Sequence, residues 1–151
     1  MDAKTASMAH PSFVEIIKQL TPDEARLLKY FSTEVKLPMI DVLAESEDSS
    51  GSIDVIVNLS LFGKQAGCEH LHLTPTYLDN LSRLGLIEIP KAFYTAPNVY
   101  DELESHPSIV EAKKQINDME GQKASIGRKL VNITQLGKQF INACVIDHRE
   151  L

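Results

Sequence analysis

The chain has 151 residues, enough to bury a sizeable hydrophobic core in one domain. Hydrophobic residues make up 43% of it and charged residues 24%, which is ordinary for a globular protein. Its 15 basic and 21 acidic side chains give a net charge of −6 with histidine neutral. This acidic balance argues against a general nucleic-acid coat and against a polybasic membrane binder.

The sequence also predicts a cytoplasmic location. No stretch approaches the roughly 18 consecutive apolar residues of a membrane-spanning helix, and the N-terminus lacks the apolar centre of a secretion signal. Two cysteines are too few for a disulfide framework, which fits a reducing compartment. The charge is uneven, because residues 1–60 carry −5 and residues 100–122 carry −4, whereas residues 123–151 carry +3.

The first part of the chain predicts a tail and two helices. Residues 1–9 are small and polar, which is typical of a disordered or vector-derived tail. Apolar side chains at helical spacing predict a helix over residues 11–20. A second helix is expected over residues 22–33, because Thr21 and Glu24 form a capping box around a proline at the first helical position.

The middle of the chain predicts strands followed by two short helices. Strands are expected near residues 39–43 and 53–57, separated by a polar, turn-rich loop. A short helical pattern covers residues 59–66. The next helix, over residues 75–84, begins at a threonine-proline pair, and Gly85 is a natural stop.

The last third predicts a strand over residues 86–89, then a loop and an interrupted acidic helical segment over residues 100–120. Residues 121–127 are expected to form a turn, and residues 129–133 a second strand. Thr134 then caps the last helix.

This order of elements favours a winged helix-turn-helix, in which two short helices precede two strands that can pair. The predicted fold class is α+β, mainly helical, with a winged helix-turn-helix-like core, an extra N-terminal helix and a helical insertion between the wing strands. The single domain would span residues 10–147, with residues 91–128 as the insertion and residues 148–151 as a tail. An unrelated α+β arrangement with a three-stranded sheet is the alternative.

Four segments together resemble the abortive-infection alpha family. They are residues 10–20, 23–25, 77–87 and 136–140, and the resemblance extends over about residues 10–146. The resemblance implies a bacterial or prophage protein with a role in phage defence. It supplies no catalytic residue, and it implies that the chain corresponds to the C-terminal domain of longer family members.

The outward face of the helix over residues 75–84 is a candidate DNA-binding site. Thr76, Asn80 and Arg83 share this face, which in a winged helix would meet the major groove. Asn80 would read adenine, Arg83 would read guanine, and Thr76 would touch a phosphate. Asp79 on the same face would repel the DNA backbone, so a solvated or partner-contacting face is the alternative.

A second candidate DNA contact is a short basic segment. Lys123, Arg128 and Lys129 would contact phosphates if they formed the base or tip of the wing. Otherwise they would belong to a solvated hairpin.

Metal-ligand residue types occur in two places. Cys68, His70 and His72 would share one face of an extended segment, and Cys144 and His148 lie one helical turn apart. No Cys-x-x-Cys pair accompanies them, and Cys144 lies on an apolar helix face typical of a core residue. The sequence therefore predicts no metal and no cofactor.

Enzyme signatures are missing from the sequence. Serine nucleophile elbows, phosphate loops and His-Glu-x-x-His are absent, which predicts a non-enzymatic protein. No small-molecule site is evident, and no membrane contact is predicted.

Two apolar stripes are candidate interfaces. They comprise Phe13, Ile16 and Ile17 in the first helix, and Ile109 and Ile116 in the insertion. Each stripe would either pack against the domain or form a dimer. The predicted function is a non-enzymatic interaction domain of an abortive-infection protein, with a protein partner or a homo-oligomer preferred over DNA. A winged-helix DNA-binding regulator is the alternative.

Overall fold

The computed structural model describes residues 10–145, apart from the side chain of residue 145. The predicted tails, residues 1–9 and 148–151, and the candidate ligand His148 lie outside the described residues. Within the described range the protein is α+β, with helices and small antiparallel sheets.

The described residues form seven α-helices and five β-strands. They are α1 (Phe13–Lys18), α2 (Pro22–Thr33), β1 (Pro38–Ser46), β2 (Ser52–Leu59), α3 (Phe62–Ala66), α4 (Thr74–Arg83), β3 (Ile87–Glu88), α5 (Asp101–Glu104), α6 (Pro107–Asn117), β4 (Gln122–Leu130), β5 (Asn132–Ile133) and α7 (Gln135–Phe140). A 3₁₀ turn, Leu71–Leu73, leads into α4, and a π-helical turn, Ile141–Val145, follows α7.

The chain divides into two compact units. Unit 1 combines Phe62–Ile89 with the described parts of Met1–Leu37 and Asn132–Leu151, and unit 2 combines Pro38–Leu61 with Pro90–Val131. Unit 1 therefore contains α1 to α4, α7 and the strands β3 and β5. Unit 2 contains β1, β2, α5, α6 and β4.

The predicted capping box is present at the start of α2. The Thr21 hydroxyl accepts a hydrogen bond from the Glu24 amide at 3.1 Å, and the Thr21 amide donates to Glu24 Oε1 at 2.8 Å. These bonds satisfy backbone donors that the first turn of a helix leaves without partners. They fix where α2 begins, and the helix then buries Leu27, Leu28 and Phe31.

Aromatic edge-to-face pairs fill the core of unit 1. Phe31 packs on Phe62 with ring centroids 5.1 Å apart, and Phe13 packs on Phe140 at 5.3 Å. Such geometry places the positive edge of one ring on the negative face of the other. All four rings are at most 2% exposed, so they serve packing rather than binding.

The end of α4 turns sharply into the two-stranded sheet of β3 and β5. Gly85 has a φ of +79°, a left-handed conformation that glycine adopts without steric cost. Thr134 then fastens this junction, since its hydroxyl donates to the Gly85 carbonyl at 2.6 Å and accepts from the Gly137 amide at 2.9 Å. α7 is thereby held directly against β3.

Unit 2 is built on a three-stranded antiparallel sheet in the order β2-β1-β4. One face of β1 presents Ile40, Val42 and Ala44 to a buried cluster. α5 and α6 close this cluster with apolar side chains, namely Leu103, Ile109, Ala112 and Ile116. The sheet thus receives its hydrophobic cover from a separate part of the chain.

The expectation of a turn over residues 121–127 is wrong, and the expected strand over residues 129–133 is divided between the end of β4 and β5, which pairs with β3 as expected. Gln122–Leu130 form one strand, β4, which pairs with the whole of β1. Ala124, Ile126 and Leu130 carry its apolar period, and the first two pack on the unit 2 cluster. Gly127, Arg128 and Lys129, which precede Leu130, hid the alternation typical of a half-buried strand.

Close packing at Gly137 gives the first prediction. A Cβ atom there would lie 2.0 Å from the Leu86 carbonyl oxygen, which is backbone and cannot move away freely. We expect Gly137→Ala to lower the free energy of unfolding by about 2 kcal/mol, because overpacking outweighs the gain in helix propensity.

Urea denaturation followed by circular dichroism measures this change. Gly51→Ala is the matched control, since a Cβ there meets nothing within 4 Å. It should alter the free energy of unfolding by less than about 0.5 kcal/mol. Equal effects of the two substitutions would contradict the packing argument.

Candidate functional site

Polar side chains on the outward face of α4 form hydrogen bonds with other residues of unit 1. Asn80 donates from Nδ2 to the Gln19 carbonyl at 3.0 Å and to Glu24 Oε2 at 2.7 Å. Its Oδ1 accepts from Arg83 Nη2 at 2.7 Å and from Arg83 Nε at 3.2 Å. Arg83 Nη2 also donates to Gln19 Oε1 at 2.9 Å. Both donors and the acceptor of the Asn80 amide are therefore engaged within the chain.

Glu24 connects the capping box to this face. Its side chain is buried, with Oε1 accepting from the Thr21 amide and Oε2 from Asn80. One carboxylate thus fixes the start of α2 and the position of α4 together. Thr76 and Asp79 remain exposed on the same helix.

Asp23, its neighbour, is a buried carboxylate with four hydrogen-bond donors. It is 2% exposed, and its two carboxylate oxygens accept from the Glu69 amide at 2.8 Å and the His70 amide at 3.0 Å. They also accept from the Tyr77 hydroxyl at 2.9 Å and from Arg26 Nη1 at 2.6 Å. A buried charge is tolerated in a fold when its hydrogen-bonding capacity is filled in this way.

These contacts determine how the cluster titrates. Burial by itself raises the pKa of Asp23, but hydrogen bonds from two amides, Tyr77 and Arg26 outweigh it and hold that pKa well below its usual range. Burial, together with the hydrogen bond to Asp23, raises the pKa of Tyr77 to about 12. The pair is therefore an ionised carboxylate bound by a neutral phenol at neutral pH.

Sequence reasoning missed the role of Asp23. An acid in the first turn of α2 indicates only a favourable interaction with the helix dipole. Apart from Arg26, its donors come from positions about 45 to 55 residues further along the chain, so no local pattern reveals them. The one hint is that two acids adjoin in the first turn, where the capping box needs only Glu24.

The candidate metal ligands lie in different surroundings. Cys68 is buried, and its thiol donates to the Asp23 carbonyl at 3.6 Å. His70 and His72 are exposed, with ring centroids 6.2 Å apart. The expected extended segment is wrong, because Leu71–Leu73 form a 3₁₀ turn that rotates these side chains off a common face. Within residues 10–145, no group of three or more His, Cys, Asp or Glu side chains is arranged to hold a metal ion.

The placement of the basic segment in the wing is also wrong. Lys123, Arg128 and Lys129 all lie on β4, in the sheet of unit 2. Arg128 donates to Glu104 at 2.9 Å and stacks on the Tyr100 ring at 5.3 Å, and Lys129 forms an ion pair with Asp41 at 3.3 Å. Two of the three cations are thus paired with carboxylates of the same unit.

Comparison with known proteins identifies the family of the chain. The model of the abortive infection alpha family matches residues 1–144, nearly the whole chain. The chain belongs to the abortive infection alpha family. No curated protein matches the sequence.

One solved structure shares the fold of this abortive infection alpha protein. It is the structure of an uncharacterized protein from the hydrocarbon-degrading marine bacterium Alcanivorax borkumensis SK2, 22% identical to this chain. The match covers 97% of this chain and 99% of that one, with a TM-score of 0.56. At this identity the likeness concerns the fold alone. Among the described helices of this chain, none has both the length and the apolar character needed to span a membrane.

Most of the candidate interface residues are core residues of the abortive infection alpha fold. Phe13, Ile16, Ile109 and Ile116 are between 0% and 6% exposed, so their assignment to an interface is wrong. They follow helical spacing because they fill their own unit. Ile17, which is 51% exposed, is the member of the set that stays at the surface.

The net charge follows the two units. Unit 2 carries eleven acidic and six basic side chains, a net charge of −5. Unit 1 carries ten acidic and nine basic side chains, a net charge of −1. The unit that contains α4 is thus nearly neutral overall, although the chain as a whole is acidic.

The Asp23 cluster gives the second prediction. We expect Asp23→Asn to lower Tm by more than about 5 °C, because two buried amides and the Tyr77 hydroxyl lose a charged acceptor. Differential scanning calorimetry at neutral pH measures the shift. Asp79→Asn is the matched control on an exposed carboxylate and should leave Tm within about 1–2 °C of the unsubstituted protein.

The same cluster predicts a specific pH dependence. Since folding lowers the pKa of Asp23, the ionised carboxylate stabilises the folded chain fully above the unfolded value near 3.8. This stabilisation is lost as pH falls below that value towards the folded pKa. We therefore expect Tm to fall less steeply below about pH 4 in Asp23→Asn than in the unsubstituted protein. Parallel acid limbs for the two proteins would contradict this assignment.

Proposed function

We propose that this abortive infection alpha chain is a non-enzymatic, cytoplasmic interaction domain that binds a second protein or another copy of itself in bacterial phage defence. The observation that carries this proposal is the exposed apolar surface of β2. Ile53, Val55 and Val57 are 72%, 47% and 47% exposed on one strand. We call these three side chains the β2 patch.

The β2 patch lies on an edge strand. Among the described strands β2 pairs with β1 alone, so its other side is open. Asp54 is the single charged residue between Ser52 and Leu59, whereas natural edge strands are commonly protected by several charges or by proline. Exposed apolar side chains at three positions of one short edge strand are typical of a region that a partner covers.

The contact would be made by side chains rather than by strand addition. The register between β1 and β2 shifts twice, on either side of Val42, and each shift is a bulge in β2. Bulges bend an edge strand and interrupt its regular row of hydrogen-bonding groups, which opposes pairing with another strand. The exposed β-branched side chains still offer apolar area to a protein surface.

The DNA-binding alternative has one specific observation in its favour. The order of α2, α3, α4, β3, β5 and α7 in unit 1 supports a winged helix-turn-helix-like arrangement, with α4 in the place of the recognition helix. Two observations make it the second choice. Asn80 and Arg83 are engaged with Gln19 and Glu24, and unit 1 has a net charge of −1.

Self-association gives the third prediction. If the β2 patch is an interface between copies, the mass measured by size-exclusion chromatography with light scattering should rise with concentration. The double substitution Val55→Lys, Val57→Lys should weaken this association by about tenfold or more, because each lysine buries a charge at the interface. The control is Val110→Lys, which places the same charge on α6 at a valine of similar exposure, 55%.

The outcomes separate the two forms of the proposal. Association that Val110→Lys weakens as strongly as the double substitution would reject the β2 patch. A chain that is monomeric at every concentration would reject self-binding, and the heterologous form would then require cross-links to a cellular protein that the double substitution abolishes.

DNA binding is tested separately and gives the fourth prediction. We expect the protein to show no tight, salt-dependent affinity for duplex DNA in a mobility-shift titration, because four of its six candidate contacts, Asn80, Arg83, Arg128 and Lys129, are engaged within the chain. A tight shift that Arg83→Ala alone weakens would establish the alternative. A shift lost only in Arg128→Ala, Lys129→Ala would instead place DNA on unit 2.

A further inference from the structure

A cavity of about 450 Å³ lies in unit 1 beside the start of α2. This volume is within the range of small-molecule sites, about 300–1,000 Å³. Its walls are largely apolar, and its rim is polar. The described lining residues are Ile17, Leu20, Thr21, Pro22, Ala25, Arg26, Lys29, Phe140 and Cys144.

We propose that this cavity binds an aliphatic carboxylate, with the hydrocarbon chain among Ile17, Leu20 and Phe140 and the carboxylate at Arg26. The proposal concerns a small ligand and does not depend on the β2 patch, which belongs to the other unit. It assigns a binding site that sequence patterns gave no reason to expect.

The apolar walls determine the body of the ligand. Ile17 is 51% exposed, although it stands on a helix whose Phe13 and Ile16 are buried. Leu20 and Ala25 are partly exposed beside it, and Phe140 forms a closed floor at 1% exposure. Apolar surface that remains open to water in a concave site gains free energy when a hydrocarbon chain covers it.

The rim determines the head group. Arg26, which lines the cavity, is cationic, although the protein as a whole is acidic. Asp23 occupies one N–H of the Arg26 guanidinium, which has five such donors and is 45% exposed. The Asp23 carboxylate is buried and filled by its own donors, so it does not face a ligand. A carboxylate fits the remaining edge of the guanidinium.

Cys144 provides a reporter on the cavity wall. Its thiol is half-buried, and burial raises the pKa of this thiol, so it stays neutral and adds to the apolar lining at neutral pH. The other cysteine, Cys68, is buried and donates to the Asp23 carbonyl. An uncharged alkylating reagent should therefore modify Cys144 faster than Cys68.

Calorimetric titration of the full chain tests the ligand class. The probes are decanoate, decanol and decyltrimethylammonium, which share one hydrocarbon chain and differ in head-group charge. We expect decanoate to bind about tenfold more tightly than decanol, because it alone forms charge-assisted hydrogen bonds with the rim. Equal or tighter binding of decyltrimethylammonium, or no binding of decanoate below its micelle concentration, would overturn the proposal.

Matched variants test the location. Ile17→Glu places an acid among the lining residues and should weaken decanoate binding by about tenfold or more, whereas Val14→Glu adds the same charge on the same helix outside the cavity. Decanoate should also slow alkylation of Cys144, measured by mass spectrometry. Binding that leaves Cys144 unprotected, or that Ile17→Glu and Val14→Glu affect equally, would place the ligand elsewhere and reject this site.

Discussion

The buried carboxylate of Asp23 is the interaction on which unit 1 depends. A charge in a low-dielectric interior is tolerated only when donors surround it, and here they come from Glu69, His70, Tyr77 and Arg26. These residues lie on three separate parts of unit 1, so the carboxylate fixes how α2, α4 and the segment before α4 pack together. Unlike hydrophobic contacts, which tolerate small displacements, this arrangement is specified by hydrogen-bond geometry.

The positions of Arg83, a candidate DNA contact, and of Arg26, which lines the cavity, follow from this arrangement. With α4 held against α2, Glu24 reaches Asn80, and Arg83 reaches Gln19, so the face that would read DNA is occupied by contacts within the chain. Arg26, held by Asp23, reaches the rim of the apolar cavity. The buried charge of Asp23 therefore keeps the Asn80 and Arg83 side chains of α4 engaged within the chain. It also positions the Arg26 guanidinium at the rim of the cavity.

Local signals in the sequence predicted the parts of the fold that depend on neighbouring residues. The capping box of α2 and the left-handed Gly85 after α4 depend on residues three or four positions apart, and both are present. β4 was missed because a strand with a glycine and five charged or polar positions has no clear period until β1 pairs with it. The wing assignment of Arg128 and Lys129 failed for that reason, and the Asp23 cluster was invisible because its donors other than Arg26 are distant in sequence.

Exposure was the property that sequence patterns predicted least well, because it depends on which face a neighbouring element covers. The stripe that includes Phe13 fills the core of unit 1, and the stripe that includes Ile109 fills the core of unit 2. Strand β2, in contrast, carries Ile53, Val55 and Val57 and has no described strand on its open side. An apolar pattern alone does not distinguish these cases. Charge adds what the pattern lacks: unit 2 carries −5, yet Asp54 is the single charged residue of β2. This contrast is why we propose a protein rather than a nucleic acid as the partner of the β2 patch.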